Sequence, residues 1–102
     1  MRQIEKDMLR AINERENWRK DNTDVRVIIL DGNVISQVFL HGNHIADFVH
    51  HSQWGMGWIE PNRDTLAQWP TPTTKSRLRA LGLNVTQSRG VVAIDGEIVC
   101  HV

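Results

Sequence analysis

Tight-turn signals one strand apart constrain this chain more than any other feature. Asp31-Gly32-Asn33, Gly42-Asn43, Ser88-Arg89-Gly90 and Asp95-Gly96 each read as a reversal, because Asp-Gly and similar pairs readily take the positive φ angles of a short hairpin. Between the turns the apolar residues alternate as they do in strands. Val25, Val27 and Ile29 alternate with Arg26, Ile28 and Leu30. In Val34–His41, Ile35 and Phe39 fall on one face and Val34, Val38 and Leu40 on the other, and Ile45–Val49 returns as a third strand. Leu83–Gln87, Val91–Ile94 and Ile98–Val102 repeat the pattern after residue 82. The turns therefore predict antiparallel sheet.

Two helical stretches interrupt the strands. In residues 3–18, Ile4, Met8, Ala11 and Ile12 recur at helical spacing and Leu9 widens the stripe, while Arg2, Lys6 and Arg10 line a charged side. Asp21-Asn22-Thr23-Asp24 predicts that this helix stops near Arg19 or Lys20, with Trp18 packed at its end. The second stretch, Thr71–Gly82, carries its own boundaries: Thr71 to cap, Pro72 at the first helical position, and Gly82 past the end. Leu78 and Leu81 share its buried face. Thr73, Thr74, Lys75, Ser76, Arg77 and Arg79 give it hydroxyls and three cations, chemistry that suits a phosphate at a helix start. Asn62–Gln68 predicts one further helical turn, stopped by Trp69-Pro70. The expected order is α-β-β-β-(loop)-α-β-β-β, an α+β fold in which one antiparallel sheet carries two helices on a single face.

With 102 residues the chain forms a single domain, 1–102, and 40% hydrophobic content is enough for a modest core. Twelve basic residues balance twelve acidic ones, so attraction to nucleic acid has to come from local segregation of charge. Cys100, the single cysteine, excludes an internal disulfide and a multi-cysteine zinc site, and its place between Ile98 and Val102 predicts a packed apolar role. The charged start Met1–Asp7 does not resemble a signal peptide, and no apolar run approaches a membrane span. An intracellular location without membrane contact is expected.

The order of the first five elements, over residues 3–82, resembles that of double-stranded-RNA-binding domains. That resemblance implies phosphate contacts from the basic start of the second helix. Further blocks, Asn22-Thr23-x-Val25, Leu40-His41-Gly42-Asn43-His44-Ile45-Ala46 and Thr71-x-Thr73-Thr74-Lys75-Ser76-Arg77-Leu78-x-Ala80-Leu81, resemble a family of small uncharacterised tailed-bacteriophage proteins. This implies a viral origin and action in the cytoplasm of an infected bacterium.

No elbow, phosphate loop or paired-carboxylate motif supports catalysis, so the chain is expected not to be an enzyme and to need no cofactor. His41 and His44, flanking Gly42-Asn43, and the pair His50-His51 are polar turn and strand-end residues, and no metal site is expected. The first functional expectation is a non-enzymatic phage accessory protein that binds nucleic acid through Thr73, Thr74, Lys75, Ser76, Arg77 and Arg79, with Arg2, Lys6 and Arg10 extending the footprint. The alternative is a host-takeover or anti-defence protein that inhibits a bacterial enzyme by contact, anchored by Trp54 and Trp58. A homodimer along an exposed strand edge, at Ile98–Val102, is a third expectation.

Overall fold

The hairpins form where two successive residues can leave right-handed φ space. Asp31-Gly32, His41-Gly42, Arg89-Gly90 and Asp95-Gly96 all have positive φ at both positions, between 51° and 85°, the pattern whose twist matches that of the strands it joins. A computed structural model describes residues 1–51 and 57–102. It contains α1 (Gln3–Glu14), β1 (Trp18–Lys20), β2 (Thr23–Leu30), β3 (Asn33–Leu40), β4 (Asn43–His50), β5 (Gly57–Pro61), α2 (Arg63–Gln68), α3 (Pro72–Ala80), β6 (Val85–Ser88), β7 (Val91–Ile94) and β8 (Glu97–His101).

The fold is α+β, as expected, and its strands are antiparallel throughout. They divide into two sheets rather than one: five strands in the order β1-β2-β3-β4-β5, and three in the order β6-β7-β8. Helix α2 bridges the two, packing against both β4 and β8. Asn62 caps that helix, its Oδ1 accepting from the Thr65 N–H at 3.1 Å. The double-stranded-RNA-binding order is not reproduced, because β1 and β5 flank the three expected strands and α2 precedes α3.

Two local readings are corrected. Helix α1 ends at Glu14, not near Arg19, because Arg15 adopts a left-handed conformation (φ 54°, ψ 49°) and its N–H closes on the carbonyls of Ala11 and Ile12. The released residues form β1, so Trp18 pairs with Val25 as a strand residue. The second hairpin bends at His41-Gly42, one residue earlier than Gly42-Asn43. Phe39 therefore pairs with His44, and His41 sits in the bend rather than opposite His44.

The core is one cluster contributed by all three helices and both sheets. It includes Met8, Ile12, Val25, Val38, Ile45, Leu66, Leu78, Val85, Val92 and Ile94, with Trp18, Phe48, Val99 and Cys100 packed against it. Cys100 is half-buried and free, which agrees with an apolar packing role. Gly57 permits a close approach of β5 to β4. A Cβ there would lie 2.5 Å from Phe48 Cε1 and 2.5 Å from the Val49 carbonyl oxygen.

Candidate functional site

Helix α3 has the boundaries expected of it. Thr71 Oγ1 accepts from the Thr74 N–H at 3.1 Å, Pro72 opens the helix, and Gly82 follows its end at φ 102°. Its cations, however, do not stand together in solvent. Arg77 is 3% exposed. Its Nη1 donates to Glu5 Oε2 at 2.9 Å and its Nε to Thr23 Oγ1 at 3.1 Å. Ser76 Oγ donates to the same Glu5 oxygen at 2.6 Å, and the backbone N–H of Arg2 reaches Glu5 Oε1 at 3.4 Å. Burial pushes the Glu5 carboxyl up, but the hydrogen bonds from Ser76, Arg77 and Arg2 and the Arg77 charge outweigh it and hold the group below its ordinary value. Glu5 is a buried carboxylate whose acceptor sites are filled from inside.

This network corrects the phosphate site. Arg77, Ser76 and Thr74 cannot serve as exposed phosphate donors: Arg77 and Thr74 are buried, and the Ser76 hydroxyl is engaged by Glu5. Lys75 bonds Gln87 Oε1, and Arg79 Nε donates to the Val85 carbonyl at 2.8 Å, so both brace α3 against β6. Thr73 is half-buried in the first turn. On α1, Arg10 lies 3.8 Å from Asp7, which also receives Lys20 at 3.6 Å. Arg2 and Lys6 are exposed. Arg79, the exposed cation of α3, also lies beside the start of α1, in a crevice of about 220 Å³ shared with Met1, Glu5 and Ser76. Glu5 was missed in sequence because it breaks the apolar stripe, although its spacing from Met8 and Ile12 places it at the edge of the buried face.

A different surface stands out at the far end of the five-stranded sheet. Along β2 burial fades from Thr23 and Val25, which are buried, to Ile28, Ile29 and Leu30, which are 37%, 76% and 55% exposed. Register aligns Ile28, Ile35, Val49 and Trp58 in one row across four strands, and residues directly opposite one another share a face. Ile29 and Val34 pair on the other face. The end of the sheet is thus apolar on both sides. Trp58 is 45% exposed, and its Nε1 donates to Glu60 Oε1 at 2.9 Å, which holds the indole along β5. Trp54 lies outside the described residues. Next to the apolar row, the Arg26 guanidinium sits 4.1 Å from the centre of the Phe39 ring, which stacks on His44 at 5.0 Å. His44 Nε2 is 2.6 Å from Asp47 Oδ1.

One further pair was not legible in sequence. Ser36 Oγ lies 3.0 Å from His50 Nε2, both are buried, and His50 packs against Phe48 with ring centres 4.6 Å apart. Burial and the nearby Arg15 charge lower the His50 pKa below its ordinary value. The two residues line up across β3 and β4 only through the register that pairs Val34 with His50. Ser36 is fully enclosed, and no carboxylate joins the pair among the described residues. Among the described residues there is no cluster of three metal-ligating side chains, and no helix is long and apolar enough to cross a membrane.

No curated protein and no solved structure matches this chain. The family model of the Kyanoviridae Gp96 protein matches residues 1–101. With that match spanning nearly the whole sequence, the chain belongs to the Kyanoviridae Gp96 family of bacteriophage proteins.

Proposed function

We propose that this phage protein is a non-enzymatic accessory factor that acts by direct protein contact through the apolar end of its five-stranded sheet. The observation that carries this reading is the exposure of Ile28, Ile29, Leu30 and Trp58 together at one end of the molecule. Exposed apolar side chains grouped in this way mark interfaces, and an indole with a fixed orientation is a good anchor for one. A chain with no net charge, whose cations pair repeatedly with Asp7 and Asp24, has little field to attract a polyanion. In a phage protein, the form of this reading with the simplest chemistry is a host-takeover or anti-defence role, with a bacterial enzyme as the blocked partner.

The test is capture from host lysate with nuclease present, comparing the native chain with Ile35→Glu and Trp58→Ala. Loss of a nuclease-resistant partner in both variants, with unchanged circular dichroism, is expected. A second reading keeps nucleic acid, on the observation that Arg79 shares a crevice with the start of α1, where Arg2 and Lys6 are exposed. Salt-sensitive binding to a labelled duplex or single strand, abolished in an Arg2/Lys6/Arg79→Ala variant and untouched by Ile35→Glu, transfers the function to that corner.

A further inference from the structure

The outer edge of β2 is where the backbone itself is left open. Strand β3 covers the inner edge of β2 over its whole length, from Thr23 opposite Leu40 to Leu30 opposite Asn33. On the outer side β1 covers only Thr23–Val25. Leu30 and Asn33 flank a two-residue turn and bond each other, so the N–H groups of Leu30 and Ile28 point toward β3 and those of Val27 and Ile29 point outward. The Val27 N–H confirms this alternation, donating outward to Asn17 Oδ1 at 2.8 Å. The next outward groups, those of Ile29, have no partner among the described residues.

Sheet edges are normally blunted by Pro, Lys, a bulge or brevity. From Val27 to Leu30 β2 has none of the first three, and its register with β3 is continuous. Other edges are better protected. Strand β5 has Glu60 and ends on Pro61. Strand β8 meets α2, and the β7–β8 ladder shifts register between Val92 and Ala93, so the edge at Ile98–Val102 is a poorer template than the edge of β2.

We infer that the open edge of β2 pairs antiparallel with the same edge of a second copy of this chain, about a two-fold axis at Ile29, so that two five-stranded sheets become one. This rests on the protein-contact reading above and names its first partner. The strand is self-complementary in that register. Ile29 meets its own counterpart, and Ile28 of each copy lies opposite Leu30 of the other. Ile28, Ile29 and Leu30 of each copy then gain apolar neighbours across the seam, Ile29 on one face and Ile28 and Leu30 on the other. Arg26 of each copy comes beside the Asp31-Gly32 turn of the other, placing a cation and a carboxylate at both ends of the ladder. A two-fold contact of this type closes on itself and forms no fibre.

The test is sedimentation equilibrium of the full chain over a range of concentrations, with amide exchange followed by NMR. A concentration-dependent species of twice 11.7 kDa is expected, with the Ile29 amide protected only in that species. Ile29→Lys and Ile29→Pro should both abolish it while leaving circular dichroism unchanged, since position 29 donates no N–H to β3. A monomer at every concentration overturns the inference, as does a dimer that survives both variants with the Ile29 amide exchanging freely. A monomer that still captures a partner through Ile35 and Trp58 overturns the self-pairing and keeps the protein-contact reading. A dimer at the β2 edge with no other capture keeps the self-pairing and removes the host partner.

Discussion

The molecule places charge inside at one end and hydrocarbon outside at the other. Between α1 and α3, Glu5 and Arg77 are almost completely enclosed. At the far end of the five-stranded sheet, Ile29 and Leu30 stand mostly in solvent. Both arrangements are costly for an isolated fold, and they differ in what removes the cost. The Glu5 carboxylate is satisfied by Arg77, Ser76 and the Arg2 backbone within the same chain, so it reads as a structural clamp. The exposed isoleucines have no such internal solution, so they read as half of a contact. Exposed cations at a helix start first suggest a ligand, but here the more informative anomaly is apolar.

Breaking the clamp should have the largest effect. Arg77→Ala leaves a buried carboxylate unpaired and should lower stability by about 3–5 kcal/mol, measured by chemical denaturation. The paired replacement Glu5→Leu with Arg77→Met should recover most of that loss. If the single variant is neutral, the charge is not buried in solution and the contrast between the two ends fails. Next, Gly57→Ala drives a Cβ into Phe48 and the Val49 carbonyl and should cost about 1–3 kcal/mol, read as a drop in Tm. It should also disturb Trp58 fluorescence more than the clamp variants do, since it acts at the apolar end.

Acid should act through the same clamp as well. The Glu5 pKa is lowered in the folded state from an ordinary 4.5, so its contribution is complete above that value and is lost as pH falls through the lower folded one. His50 behaves in the same direction but from a higher starting point. Its folded pKa is lowered from 6.5, so the stability tied to its neutral form is full above pH 6.5 and declines as acid protonates it. Stability measured against pH should therefore fall in two stages, with His50→Gln removing the upper one and Glu5→Gln the lower. The smallest change in stability belongs to Ile29→Lys, within about 0.5 kcal/mol. That variant should nevertheless lose its contacts, and a large loss of stability instead would mean that the edge is a core element.

What could be read in advance follows the range of the interactions. The turns at Asp31-Gly32, Arg89-Gly90 and Asp95-Gly96 were legible because the positive φ angles depend on the two residues themselves. The limits of α3 were legible because Thr71, Pro72 and Gly82 act within one turn of where they stand. The end of α1 was not, since Arg15 takes a left-handed conformation with no glycine to announce it. The Ser36–His50 pair likewise required a strand register that no local pattern announces.

The sequence by itself determined the alternation of strands and turns, the capped helix, and the absence of net charge, because each depends on neighbours along the chain or on composition. Tertiary structure alone decided what the charged and apolar residues are for. Arg77 became internal because Glu5, 72 residues away, lies against it, and a short β1 left the edge of β2 open from Ile29 onward. Whether a guanidinium faces a phosphate or a buried carboxylate, and whether an isoleucine faces a core or a partner, depends on which distant groups the packing brings within a few ångströms.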